Sequence, residues 1–66
     1  MKQQFTFTDE DIERVGNEIQ GELNVEPDIN DSAEGLQYTF TKDGIVYQMD
    51  NYGRTSNRFR LTITVI

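Results

Sequence analysis

The chain has 66 residues, contains neither cysteine nor histidine, and carries a net charge of −6. That length fits one domain near the lower limit for folding on a hydrophobic core alone, and the missing cysteines exclude a disulfide framework and a thiolate metal site. Without histidine or cysteine the chain also lacks the usual general base near neutral pH and the usual thiol nucleophile, so no catalysis is expected.

In chain order, Gln3 to Phe7 alternates polar and aromatic residues, as a short strand does. Thr8 then opens Thr-Asp-Glu-Asp, which predicts a helix capped by the threonine hydroxyl, with Asp9, Glu10 and Asp11 against the positive end of its dipole. Ile12, Val15, Ile19 and Leu23 follow at spacings of three and four and form one apolar stripe. Gly16 falls inside that stripe, where it costs about 1 kcal/mol of helix propensity and is best used to let the helix approach a sheet closely. The helix is expected to end between Gln20 and Asn24, with Gly21 weakening its last turn or capping it.

Asn24 to Gly35 has the only proline, many acids and no period, and reads as a loop from which Val25 and Ile29 tuck under the core. Leu36–Lys42 and Ile45–Asn51 alternate strictly around Asp43-Gly44, the signal of a two-residue type I′ hairpin. Closing that turn sets Lys42 opposite Ile45, Phe40 opposite Tyr47 and Tyr38 opposite Met49, with all the aromatic and sulfur side chains on one face. After a polar loop over 51–57, Arg58 to Ile66 is a last strand with Phe59, Leu61, Ile63 and Val65 on one side.

The expected fold is therefore α+β, in one domain over residues 1–66. It is a two-layer sandwich with one helix packed on a mainly antiparallel three- to four-stranded sheet, ordered β-α-β-β-β or α-β-β-β. Its core is expected to hold Phe5, Phe7, Ile12, Val15, Ile19, Leu23, Leu36, Tyr38, Phe40, Ile45, Tyr47, Met49, Phe59, Leu61, Ile63 and Val65. No apolar run follows Lys2, so neither a signal peptide nor a membrane span is expected, and a cytoplasmic location is the default.

Several chemistries fit poorly. Ser32 and Ser56 lie in polar stretches with no base to activate them, and no glycine-rich phosphate loop is present. Asp28 to Glu34 resembles the start of a calcium loop, but Ala33 stands where the turn glycine is required and Thr39 where the closing glutamate belongs. No metal and no cofactor are expected.

Charge separates along the chain. Residues 1–35 hold ten acids against Lys2 and Arg14, a balance of −8, whereas residues 36–66 carry +2. Such a field attracts basic surfaces and repels nucleic acid and anionic membranes. Three surfaces could bind a partner. The first is acidic: Glu10, Glu13, Glu18 and Glu22 flanking the helix stripe, extended by Glu26, Asp28, Asp31 and Glu34, against the bland alternative of a solvated helix face. The second is a nucleic-acid patch of Tyr52, Arg54, Arg58 and Arg60, against the simpler expectation that Asp50 pairs with Arg58 or Arg60. The third is the C-terminal strand, whose uncharged β-branched run would pair with another chain if it lay at a sheet edge.

The acidic surface is the leading expectation. It predicts a non-catalytic inhibitor or regulator that binds the basic surface of a nucleic-acid-handling protein by imitating the anionic track of nucleic acid. Small acidic proteins of phages and mobile elements act in this way, an analogy of class and not of sequence. The competing expectation is a structural or assembly subunit that self-associates, as a homodimer, through the C-terminal strand edge.

Overall fold

The computed structural model describes residues 1–53 and 55–66. Arg54, one of the cations of the nucleic-acid patch, lies outside them. The elements run β1 (Lys2–Thr8), α1 (Ile12–Leu23), β2 (Asp28–Ser32), β3 (Gly35–Lys42), β4 (Ile45–Asn51) and β5 (Arg58–Val65). The strands form one antiparallel sheet in the order β1-β5-β4-β3-β2. β2 to β5 are a meander, while β1 sits beyond β5 at the far edge. The helix carries the chain from one edge to the other and packs on one face over β3 and β4. This is the α+β sandwich that the alternation requires, with one strand more than the sequence reading counted.

The hairpin between β3 and β4 is built as its turn residues dictate. Asp43 and Gly44 both adopt positive φ (52° and 77°), and the ladder pairs Lys42 with Ile45, Phe40 with Tyr47 and Tyr38 with Met49. A primed turn twists in the same sense as its strands, so the register follows from two residues.

Two expectations are corrected, and one alternative left open by the sequence is decided. Thr8 is not the helix cap. It remains in β1 opposite Arg58, and Asp9 turns the chain at positive φ while its N–H donates to the Asn57 carbonyl. The cap is Asp11, whose Oδ1 accepts from the Glu13 N–H at 2.9 Å, leaving Glu13 as the one acid in the first turn. Second, the presumed loop contains β2, paired with β3 from Asp28–Thr39 to Ser32–Gly35. Third, β5 is not an edge strand, since it is paired along its length with β1 on one side and β4 on the other. Self-association through that strand has no free backbone to use.

The core is centred on Phe40, Met49 and Phe59, which are almost completely enclosed, with Ile12 and Leu61 beside them. Phe7 stacks on Phe59 with ring centroids 4.8 Å apart, and Val15, Ile19, Leu23, Val25, Leu36, Tyr38, Tyr47 and Ile63 close the cluster. Phe5 and Val65 were expected inside but are 46% and 47% exposed, because α1 rests mainly on β3 and β4 and on β5 only Phe59 and Leu61 are buried. Ile45 lies outside the cluster as well, and Ile29, on edge strand β2, is 60% exposed.

The helix is held at both ends and in its middle. Asn24 takes the left-handed conformation and donates its N–H to the Gln20 carbonyl, so it is the C-cap in place of Gly21. Lys42 reaches from β3 to donate to the Leu23 carbonyl at 2.6 Å, setting a cation at the negative end of the dipole. At Gly16 a β-carbon would lie 2.7 Å from the Tyr38 ring carbons, so only glycine permits this approach of helix to sheet. A β-carbon at Gly21 would meet no atom of another element within 4 Å among the described residues. Replacing Gly16 with Ala is expected to destabilise the fold by about 1–3 kcal/mol through overpacking, overriding the roughly 1 kcal/mol that alanine gains in helix propensity. Gly21→Ala meets no such contact and is expected to stabilise. Urea midpoints of the two variants, moving in opposite directions, check both statements.

Candidate functional site

The eight candidate acids do not share one face. Glu10 precedes the helix, and the guanidinium of Arg14, one turn on, pairs with it and with Glu18, the latter at 2.8 Å. Arg14 therefore partly neutralises two of the four glutamates assigned to the helix side. Both contacts are exposed, so their energetic worth is about 0–1 kcal/mol each. Glu13, Glu22, Glu26, Asp28 and Glu34 make no ion pair among the described residues.

The helix itself divides the acids. With residues advancing by about 100° along the helix, Glu13 falls on one flank of the apolar stripe and Glu18 and Glu22 on the other. On the β2 side, Asp11, Glu13 and Asp31 border a shallow hollow of about 290 Å³ floored by Ile12 and Leu36. Tyr38 feels this side: burial, then the charges of Glu13, Asp11 and Asp31, push its phenol above the ordinary value of 10.0. On the β5 side, Glu18 and Glu22 overhang a groove of about 310 Å³ formed by Ile19, Leu23, Tyr47, Leu61 and Ile63.

Asp28 lies on the opposite, uncovered face of the sheet, because alternation along β2 points it away from Ile29 and Asp31. The same alternation sends Asp28, Asn30 and Ser32 to one face and Asp31 to the other, so this segment does not curl around an ion as a calcium loop does. Among the described residues no group of three or more acids stands close enough to hold a metal ion. The acids of β2 also have a structural use, since charge on an edge strand opposes pairing with a second chain.

The uncovered face brings together the described members of the second candidate patch. Arg58 and Arg60 lie 4.7 and 5.9 Å from the ring centroid of Tyr52, and the Tyr52 hydroxyl is 3.2 Å from Thr6 Oγ1. The expected pairing of Asp50 with Arg58 or Arg60 does not form. Although Asp50 is the cross-strand neighbour of Arg60, its carboxylate accepts from Gln37 Nε2 at 2.7 Å and from Gln48 Nε2 at 3.2 Å. Arg60 Nε is enclosed with no hydrogen-bond partner among the described residues. A hollow of about 370 Å³ opens beside it, bordered by Asn30, Glu34, Gln37, Asp50 and Tyr52.

Sequence reasoning missed the groove beneath Glu18 and Glu22. Its lining residues were assigned to the core, and there Leu61 is buried and Ile19, Leu23, Tyr47 and Ile63 pack against it; the signal that could have revealed the groove is one of width. A single helix about 10–12 Å across cannot cover five strands spaced about 4.8 Å apart.

Fold and surfaces together define an α+β domain of one helix on a five-stranded antiparallel sheet. No family model matches the chain, and neither a curated protein nor a solved structure does. Among the described residues no helix is long and apolar enough to cross a membrane.

The raised phenol of Tyr38 links stability to pH. Because the fold favours the neutral ring, this contribution is fully present below the ordinary value of 10.0 and is lost as pH rises through the higher folded value. Tyr38→Phe removes the ionisation and is expected to flatten the alkaline fall in melting temperature. Thermal melts between about pH 8 and pH 12 on both proteins test this, and parallel curves would show that Tyr38 carries none of it.

Proposed function

We propose that this chain is a non-catalytic binding domain that engages a basic surface on a partner protein and acts as an inhibitor or regulator of that partner. The observation that carries the reading is the uncompensated charge of residues 1–35, a balance of −8, with five of the eight candidate acids outside any ion pair among the described residues. Charges of one sign at an exposed surface raise the encounter rate with a surface of the opposite sign and set its orientation.

A protein that handles nucleic acid is the favoured partner class. Its binding groove already gathers lysine and arginine to meet phosphates, and an acidic protein occupies such a groove by the same electrostatics. A net charge of −6 opposes direct binding of nucleic acid by the chain itself. The sequence also has no histidine or cysteine to supply base or thiol chemistry, which favours binding over turnover.

The test is comparative affinity capture from cells of the native host, with the wild-type chain and a variant carrying Glu13, Glu18, Glu22 and Glu26 changed to Lys. The wild type is expected to retain a basic protein that elutes early in a salt gradient, and the variant to bind it at least about tenfold more weakly. Equal retention of that protein by both would defeat the reading. Circular dichroism of the variant, expected to match the wild type, separates lost binding from lost folding.

A further inference from the structure

The sheet has two edges, and they are built differently. β2 carries Asp28 and Asp31, and charge on an edge strand opposes the addition of another. β1 reads Lys-Gln-Gln-Phe-Thr-Phe-Thr, with no acid, no proline and its one charge at the first position. Among the described residues no strand pairs with its outer side, and every residue of β1 except Phe7 is exposed. The direction of its backbone groups follows from two bonds at its ends. Val65 donates its N–H to the Met1 carbonyl and Asp9 donates to the Asn57 carbonyl, so the odd-numbered residues of β1 form the hydrogen-bonded pairs of the β1–β5 ladder. Gln3, Phe5 and Phe7 therefore turn their N–H and C=O groups to β5, and Lys2, Gln4, Thr6 and Thr8 turn theirs to the open edge.

We infer that this edge pairs with β1 of a second copy of the chain, antiparallel about a twofold axis at Phe5, joining the two five-stranded sheets into one. Backbone parity selects the register. With Phe5 opposite Phe5 of the second copy, Gln4 meets Thr6 and Lys2 meets Thr8, so outward groups face outward groups over the whole of β1. A shift of one residue sets outward groups against inward ones, and a shift of two shortens the ladder and moves Phe5 off the axis. At the axis the two phenylalanines form a non-hydrogen-bonded pair, the kind in which Cα atoms approach to about 4.5 Å and side chains come closest. Each ring, 46% exposed in the single chain, is then covered by the other.

The net charge of −6 does not stand at this edge. β1 and β5 hold Lys2, Arg58 and Arg60 and no acid, whereas the acids lie on α1, β2, β4 and the connecting segments. Asp9 adjoins the end of β1, and there Lys2 of the second copy arrives, opposite Thr8. Any exposed strand supplies backbone bonds, but a second copy also brings Phe5 to Phe5 and a cation to each Asp9. The inference is separate from the proposed binding of a basic partner. α1 and β2 stay outside the contact, so the pair carries two acidic surfaces.

Sedimentation equilibrium of the full chain between about 10 µM and 1 mM tests the pairing, and the mass is expected to rise from 7.7 kDa toward twice that value. Gln4→Pro removes an outward N–H and spares the bonds to β5, while Phe5→Lys sets like charges across the axis and lowers the net negative charge. Each is expected to remain monomeric with the circular dichroism of the wild type. Because the chain has no cysteine, Phe5→Cys reads the register directly. Oxidised glutathione is expected to link two copies of it through a disulfide, which needs Cα atoms roughly 4.4–6.8 Å apart. Gln3→Cys is expected not to link, since its counterpart lies opposite Phe7, about 13 Å along the strand. A mass that does not change with concentration overturns the inference, as does a dimer that persists in both Gln4→Pro and Phe5→Lys, or linking of Gln3→Cys as readily as Phe5→Cys. The variant with Glu13, Glu18, Glu22 and Glu26 changed to Lys keeps β1 intact and is expected still to dimerise, so loss of the basic partner and loss of the dimer are read separately.

Discussion

At Gly16 the backbone of the helix lies against the ring of Tyr38, closer than any side chain would permit. Much of the molecule follows from that contact. It fixes α1 over β3 and β4, above the row in which Tyr38, Met49 and Leu61 lie side by side across three strands. Met49, at the centre of the row, has no exposed surface, while Phe5 at its β1 end and Ile29 at its β2 end are largely open. A bulkier residue at position 16 would lift the helix, and the best-packed part of a small core would loosen first.

The same placement sorts the charges. A helix seated over the middle of the sheet has two flanks, one facing β2 and one facing β5, and its glutamates fall on both. Glu13 joins Asp11 and Asp31 around Ile12 and Leu36, where their field bears on the Tyr38 phenol. Glu18 and Glu22 border a groove whose apolar lining, Ile19, Leu23, Tyr47 and Ile63 around buried Leu61, is only partly covered. An acidic helix over a solvated sheet would be a means of staying dissolved, but acids bordering an open apolar groove combine a steering charge with a surface that gains from being buried. Arg14, between Glu10 and Glu18, softens the field on the outer side of the helix and leaves Glu22 at full strength.

On the opposite face the arginines are organised differently. Tyr52 folds back from the end of β4 to touch Thr6 on β1 and lies near both Arg58 and Arg60, an arrangement worth about 0.5–1 kcal/mol per cation at an exposed site. Asp50 is engaged by two glutamines, so cross-strand neighbours of opposite sign do not pair. The charge segregation along the chain thus becomes, in part, a segregation between the two faces of the sheet.

The sequence by itself determined what depends on near neighbours. The helix stripe from Ile12 to Leu23 follows from a period of 3.6, the β3–β4 register from Asp43-Gly44, and the glycine at 16 marked a close approach before its partner was known. The imbalance of charge could also be counted directly. What only the tertiary structure decided involves partners far apart in the chain. β2 has a single aliphatic, exposed Ile29 and no alternation to announce it, and it exists because β3 offers it a ladder. Thr8 satisfies the rules for a cap, yet pairing with β5 keeps it in a strand and gives the cap to Asp11. The uncharged run of β5 reads equally well as an edge or an interior, and the return of β1 to its outer side settles the matter. Which glutamates border the partly covered apolar groove was decided last of all. It depends on where across the sheet the helix comes to rest, and periodicity along a chain carries no information about sideways position.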